Sequence, residues 1–306
     1  MDIKSHCEDW RVYELTDLRP EETAPQNPHA YFYVEKTALN TLDVVQAAAS
    51  ALAVPEHEIG YAGRKDKWGV TCQWFSVPCV RGQVPDWPEI PGTRCLEQML
   101  LGKKLRVGQL AGNRFEIVVR NAGDQEVDSF LSMSAGYANL FGDQRVSPDN
   151  VSSARTWILN RERGRKRRDR RRGWKLSVLR AYLFNSIVSK RRAAGLLPSV
   201  VEGDVLVSGY PSAPLWGRGR SRTQSQAAEM ERDALRSEQA VCDALEHAGV
   251  TQARRAMFVV PRNLHVAAGG QDTFCLEFSL PPGSYATTLL DQVGPVQDLG
   301  GRLESL

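Results

Sequence analysis

The apolar residues of this chain repeat with two different periods, and the order of those periods limits what the chain can fold into. Up to about residue 125, short alternating runs dominate. "AYFYVEK" reads as a strand. Val70, Cys72 and Trp74 share one face of an extended segment, with Gly69, Thr71, Gln73 and Phe75 on the other. Phe115, Ile117 and Val119 alternate with Glu116, Val118 and Arg120, after a turn at Gly112 and Asn113. One helix interrupts them, "NTLDVVQAAASALAV", capped by Asn40 or Thr41, with Leu42, Val45, Ala49 and Leu52 on one face. The Pro- and Gly-rich residues 78 to 94 read as a loop.

Beyond residue 125 helical spacing takes over. It runs through "DSFLSMSAGYANL", "DNVSSARTWIL", "LSVLRAYLFNSIVSKRRAAG" (capped by Ser177, ended by Gly195) and "TQSQAAEMERDALRSEQAVCDALEHAG". At "DTFCLEFSL" the period returns to two, with Phe274, Leu276, Phe278 and Leu280 on one face; "PPG" then turns the chain and a helix starts at Ser284. A β-rich start, a helical middle and a β-rich end point to an α+β domain interrupted by an inserted helical one. No repeat is visible, which argues against a solenoid.

At 306 residues and 42% apolar the chain can bury a substantial core. Its apolar runs fall short of a membrane helix, and "MDIKSHCEDW" lacks the order of a signal peptide, so a cytoplasmic protein without a membrane partner is expected. The six cysteines are scattered without a CxxC pair, which favours reduced thiols over disulfides or a zinc site.

Charge is distributed unevenly. "RERGRKRRDRRRGWK", from Arg161 to Lys175, holds ten basic and two acidic residues, a local +8 that leaves −5 for the rest of a chain whose net charge is +3. Such a block is often merely solvated, yet it offers many phosphate contacts, and a nucleic acid is the partner it fits. Its edge carries Trp174, and one aromatic beside arginines does not establish base stacking.

A second charged stretch, "GYAGRKDKWGVTCQWFSV", sets Asp66 among Arg64, Lys65 and Lys67 at the mouth of a strand. Nearby cations favour an ionised carboxylate. Adjacent residues of an extended chain point to opposite sides, however, so Lys65 and Lys67 need not touch Asp66, and "GRKD" alone is also ordinary loop composition.

Rival chemistries fail on spacing. A zinc nucleobase deaminase needs H-x-E and P-C-x-x-C; "HCE" at residues 6 to 8 fits, but "PCVRG" puts Gly82 where the second cysteine belongs. Five dispersed histidines offer no other metal set, and no Walker loop, GxSxG elbow or dinucleotide fingerprint is present.

Five segments, taken in order, resemble the TruD-type tRNA pseudouridine synthase family. They are "GYAGRKDKWGVTCQWFSV" for its G-x-K-D segment, "KLRVGQLAGNRF" for G-N-x-F, "LFGDQR" for F-G-x-Q-R, and "LSVLRAYLFN" and "PPGSYATTLL" for two more. The resemblance runs from about Lys4 to Val293. It implies a catalytic domain with a mixed, largely antiparallel sheet, formed by residues 1–136 and 259–306, with a helix-rich insertion at 137–258 that contains the arginine run.

The resemblance also implies a reaction: isomerisation of uridine to pseudouridine in tRNA, at position 13 of the D-arm, by a monomer without cofactor or metal. Asp66 would be the catalytic aspartate, attacking the ribose at C1′ or the base at C6, with Lys4 pairing with it. Phe115 would stack on the target base, and Asn113 would hydrogen-bond near the base or hold Asp66. Lys65 and Lys67 would meet backbone phosphates, as would Arg165, Lys166, Arg167, Arg168, Arg170, Arg171 and Arg172 of the basic run. Arg145 would serve as an RNA contact or an interdomain ion pair. The competing readings are an RNA-binding or RNA-folding protein in which catalysis is secondary or lost, and a synthase acting on another RNA.

Overall fold

The structure, a computed structural model, describes residues 1–19, 28–80, 83–160 and 171–301. The chain divides into two compact units. One comprises Met1–Ser134, Pro261–Ala286 and the chain from Val293; the other comprises Ala135–Val260 and Thr287–Gln292. The expected boundaries gave all of 259–306 to the first unit. Thr287–Gln292 instead pack into the second, where the Thr288 hydroxyl donates to the Leu140 carbonyl at 3.3 Å and Gln292 Nε2 to that of Ala138 at 3.2 Å. Among the described residues no helix is long and apolar enough to cross a membrane.

The first unit is built on one mixed sheet. Its main strands are β1 (Trp10–Leu15), β2 (His29–Thr37), β3 (Val70–Pro78), β4 (Thr93–Leu101), β5 (Gly112–Arg120), β6 (Arg262–Gly270) and β7 (Thr273–Leu280). They lie in the order β6-β7-β5-β1-β3-β2-β4. All neighbours run antiparallel except β1 and β3. Strands from beyond the helical segment thus pair with β5 from before it, which makes the two stretches one domain.

Two helices, α1 (Thr41–Ala51) and α2 (Asp124–Ser132), cover one face. Val44, Val45, Ala48 and Ala49 of α1 are buried against Phe32, Val34, Phe75 and Val77, and Phe130 of α2 meets Phe274 edge-on at 5.3 Å. The apolar face expected for α1 is rotated: Leu42 is 42% exposed while Thr41 is buried, because the Thr41 hydroxyl bonds Gln73 in the core. β3 does not alternate between core and solvent, since it lies inside the sheet and is buried on both faces from Val70 to Val77. The loop expected over 78–94 ends at Thr93, where the edge strand β4 begins; the mostly exposed residues of β4 leave no apolar alternation to read.

The second unit is organised around the helix Arg172–Ala193, which starts before the expected cap at Ser177 and buries Leu176, Leu179, Leu183, Phe184 and Ile187. The helical reading of "DSFLSMSAGYANL" holds to Ser132. Gly136, at φ +102°, then breaks the spacing, and Tyr137–Ala138 pair as a short strand with Phe258–Val259. The long helix expected after Thr223 is two helices, Ser225–Ala234 and Gln239–His247, joined by a 3-10 turn at Arg236–Glu238.

One buried ion pair anchors this unit. The Arg191 guanidinium donates to Asp204 Oδ1 at 2.7 Å and to the carbonyls of Leu196 and Ser199, with the two side chains 3% and 1% exposed. Breaking one side of such a pair strands the other charge in the core. Arg191→Met is therefore expected to cost about 3–5 kcal/mol, read as a lower urea midpoint; an unchanged midpoint would refute the pair's structural role.

Candidate active site

The strand register lines up residues that are far apart in sequence. Lys36 lies opposite Thr71, Thr71 opposite Val12, Val12 opposite Phe115, and Phe115 opposite Phe278, one row across β2, β3, β1, β5 and β7. Side chains directly opposite share a face, so all five point to the face that carries α1 and α2. Two positions along the strands, Glu14 lies opposite Asn113 and Val34 opposite Gln73. Within a layer that should be apolar, the centre is therefore polar: Lys36, Thr71, Gln73 and Glu14 are all buried.

These buried polar groups hold the loop that carries Asp66. Gln73 Nε2 donates to the Gly63 carbonyl at 3.1 Å, and the Lys65 N–H donates to Thr41 Oγ1 at 3.0 Å. Thr41 in turn donates to Gln73 Oε1 at 2.8 Å. Lys36 Nζ donates to the Asp66 carbonyl at 2.9 Å and to that of Leu39 at 2.6 Å. Gly69 closes the loop, because a Cβ there would lie 2.5 Å from the Trp10 carbonyl oxygen.

Asp66 is exposed, and its carboxylate is oriented from one side: the Trp10 indole N–H donates to Oδ2 at 3.0 Å. Oδ1 accepts no hydrogen bond among the described residues. A charge-assisted bond of this kind contributes on the order of 1.5–3 kcal/mol, enough to hold one rotamer. Beneath the loop, burial pushes the Lys36 ammonium down to about 8; the charge of Asp66 opposes this fall and that of Lys65 adds to it. Phe115 is buried beside the site, stacked on Phe278 (centroids 5.3 Å, planes 23° apart) and edge-on to Trp10 at 6.4 Å.

Several expected roles change. Lys4 is buried, but among the described residues its ion pair is with Asp298, at 2.9 Å, and not with Asp66. Its ammonium lies 4.5 Å from the centre of the Trp10 ring, whose indole N–H donates to Asp66. Lys65 does not face outward to meet phosphates. Its Nζ sits 2.8 Å from Glu14 Oε2 and 2.6 Å from Asn113 Oδ1, because the buried Glu14 carboxylate requires a counter-charge. The contact with Glu14 is a charge pair poorly aligned for a hydrogen bond. Asn113 is the first polar group of the β5 row rather than part of a turn, and it holds Lys65 rather than Asp66.

Lys67 packs over the Trp68 ring at 4.6 Å. Arg145 lies against Phe141 and Trp174 at 5.6 and 5.4 Å and donates to Ser177 at 3.3 Å, all within its own unit; among the described residues it forms no ion pair. Arg172 spends a guanidinium nitrogen on the Ala248 carbonyl at 2.7 Å, and Arg171 is exposed at the head of the same helix. Arg165, Lys166, Arg167, Arg168 and Arg170 lie outside the described residues.

The sequence reading missed Trp10, Glu14, Lys36, Thr41 and Gln73. For Glu14, Lys36, Thr41 and Gln73 the signal was polarity within strand or helix segments, which local consistency would reserve for a functional or strained place, while Trp10 reads as an ordinary core aromatic.

The chain matches the family model described as tRNA pseudouridine synthase D (TruD) over residues 1–147 and 207–293. It is 33% identical to the tRNA pseudouridine synthase D of Shewanella oneidensis, an alignment covering 97% of this chain and 87% of the relative. It is also 33% identical to that of Methylococcus capsulatus, over 95% of this chain and 90% of the relative. A solved Methanosarcina mazei structure, provisionally described as tRNA pseudouridine synthase D, shares the fold at a TM-score of 0.63 and 20% identity, covering 95% of this chain and 92% of that one. The chain therefore belongs to the tRNA pseudouridine synthase D (TruD) family.

Proposed function

We propose that the chain isomerises uridine to pseudouridine in tRNA, at position 13 of the D-arm, with Asp66 as the nucleophile. The observation that carries this reading is the state of Asp66: one carboxylate oxygen held by Trp10, the other without a donor among the described residues, on a loop fixed from beneath by Lys36, Thr41 and Gln73. A carboxylate arranged in this way is a positioned nucleophile rather than a solvated turn residue.

In the reaction the free Asp66 oxygen attacks the ribose at C1′ or the base at C6. The N1–C1′ bond breaks, the detached uracil turns, and a C5–C1′ bond forms. C5 gives up its proton and N1 ends with one, so product and substrate contain the same atoms and no oxidant, reductant or co-substrate enters. The uridine must leave its stack to reach the site. Phe115, backed by Phe278, then offers the base an apolar floor, and stacking of this kind is worth on the order of 1–3 kcal/mol per base. Asn113 Oδ1 is occupied by Lys65, which leaves its amide N–H groups for a carbonyl of the base. Lys67 beside the nucleophile is assigned to the RNA backbone, together with Arg145, Arg171 and the preceding basic run.

The test is nucleoside analysis of an unmodified tRNA transcript incubated with the full chain and no added metal or cofactor, followed by chemical mapping. One pseudouridine per tRNA, at position 13, is expected. Salt-sensitive binding without turnover would overturn the enzymatic reading in favour of an RNA-binding protein.

A further inference from the structure

Lys36 is fully buried on β2, yet its ammonium has no carboxylate partner among the described residues; it donates only to the main-chain carbonyls of Asp66 and Leu39. Directly opposite on β3, the Thr71 hydroxyl is also buried and accepts no hydrogen bond among the described residues. An ammonium kept from water without a counter-ion is costly to fold around. An apolar side chain of the same length would fill the space without that cost. The charge therefore serves something other than stability, and the group it touches is the main chain of Asp66.

We propose that Lys36 is a positioning residue for the reaction: its ammonium fixes the loop at the Asp66 carbonyl and keeps a positive charge beneath the carboxylate when bound RNA displaces water. The proposal rests on the reading of Asp66 as the nucleophile. A preorganised charge in a site emptied of water acts more strongly than the solvent it replaces, because it need not reorient as charge moves. Positive charge at this place favours the negative charge that the uracil carries as it detaches.

The charged and titratable groups around Lys36 are Asp66 and Lys65 on the loop, Asp43 on α1 and Cys72 on β3. The two carboxylates favour the ammonium and Lys65 opposes it. Burial raises the Cys72 thiol to about 11, so it is neutral over the working range. Burial of Lys36 outweighs these charges and brings its titration to about 8, which gives the proposal a pH signature. The catalytically competent ammonium form is complete below that pH and is lost above it.

The decisive experiment compares wild type, Lys36→Met, Lys36→Arg and Asp66→Asn on unmodified tRNA, measuring kcat and KM from pH 6.5 to 9. Lys36→Met is expected to fold cooperatively and to keep KM within about threefold while kcat drops on the order of 10²–10³-fold. Its residual kcat should no longer change through pH 8, whereas the wild-type kcat should fall there. Lys36→Arg, whose guanidinium stays charged, should regain part of the rate and hold it to higher pH. Lys36→Met with kcat within threefold of wild type, beside an inactive Asp66→Asn, would overturn the role of Lys36 alone. An active Asp66→Asn would instead overturn the nucleophile. Should neither Lys36 variant fold, a wild-type kcat that shows no fall anywhere from pH 6.5 to 9 would overturn the proposal without them.

Discussion

Replacing Asp66 by asparagine is expected to lower pseudouridine formation by on the order of 10⁴-fold or more, with tRNA affinity within a few-fold of wild type. An amide has nearly the shape of a carboxylate but neither its charge nor its nucleophilicity, so the change removes chemistry and spares structure. The contacts from Gln73, Thr41 and Lys36 reach main-chain atoms of Gly63, Lys65 and Asp66, and the Lys65 side chain is held by Glu14 and Asn113, so these do not depend on the Asp66 carboxylate. The one contact that does, from the Trp10 indole, finds an acceptor in the amide oxygen as well. Asparagine can deamidate back to aspartate, so Asp66→Ala should accompany it. Substantial turnover in the alanine variant would remove Asp66 from the mechanism, and loss of tRNA binding together with turnover would make it a binding residue instead.

The second large effect concerns Lys65, and it is structural as well as catalytic. Its side chain is 5% exposed and that of Glu14 is 1% exposed, so the pair lies in the core beneath the site. Lys65→Met leaves the Glu14 carboxylate with only the Trp74 N–H, at 3.2 Å, among the described residues, and deprives Asn113 of its donor. Stranding a buried charge in this way costs about 3–5 kcal/mol, which is read as a lower urea midpoint. Adding Glu14→Gln removes the stranded charge, so the double variant should recover much of that loss. A double variant less stable than the single one would show that the pair is not coupled. Activity should stay low in both, because Asn113 is no longer held.

The position of Asp66 at the mouth of β3 was legible from the sequence because charge clustering and alternation meet there. Its partners were not legible. A period of two separates the faces of a strand without saying which is buried, and β3, inside the sheet, buries both. Lys36 is the last residue of the strand-like run "AYFYVEK", while register places it at one end of a row that crosses five strands. Lys65 was misplaced for a related reason. A cation beside an active-site carboxylate suggests a phosphate contact until the buried Glu14, fifty residues upstream, is placed opposite it. The insertion was visible as a change of period, but the return of Thr287–Gln292 to the second unit depends on contacts with Ala138 and Leu140 that leave no local pattern.

The row from Lys36 to Phe278 also fixes when the sheet around Asp66 can be completed. Asp66 and most of the groups that hold its loop are made early in synthesis, but Phe278 leaves the ribosome only after Ala135–Val260 of the second unit has been translated. Until then β5 has no neighbour on its β7 side, and the ring that backs Phe115 is missing. Long-range strand pairing of this kind is slow, and it leaves an open edge exposed while it waits. A nascent chain stalled before Thr273 would carry Asp66 beside a Phe115 ring with no Phe278 behind it. The apolar row beside Asp66 is thus completed only when β7, the last main strand of the sheet, has been made.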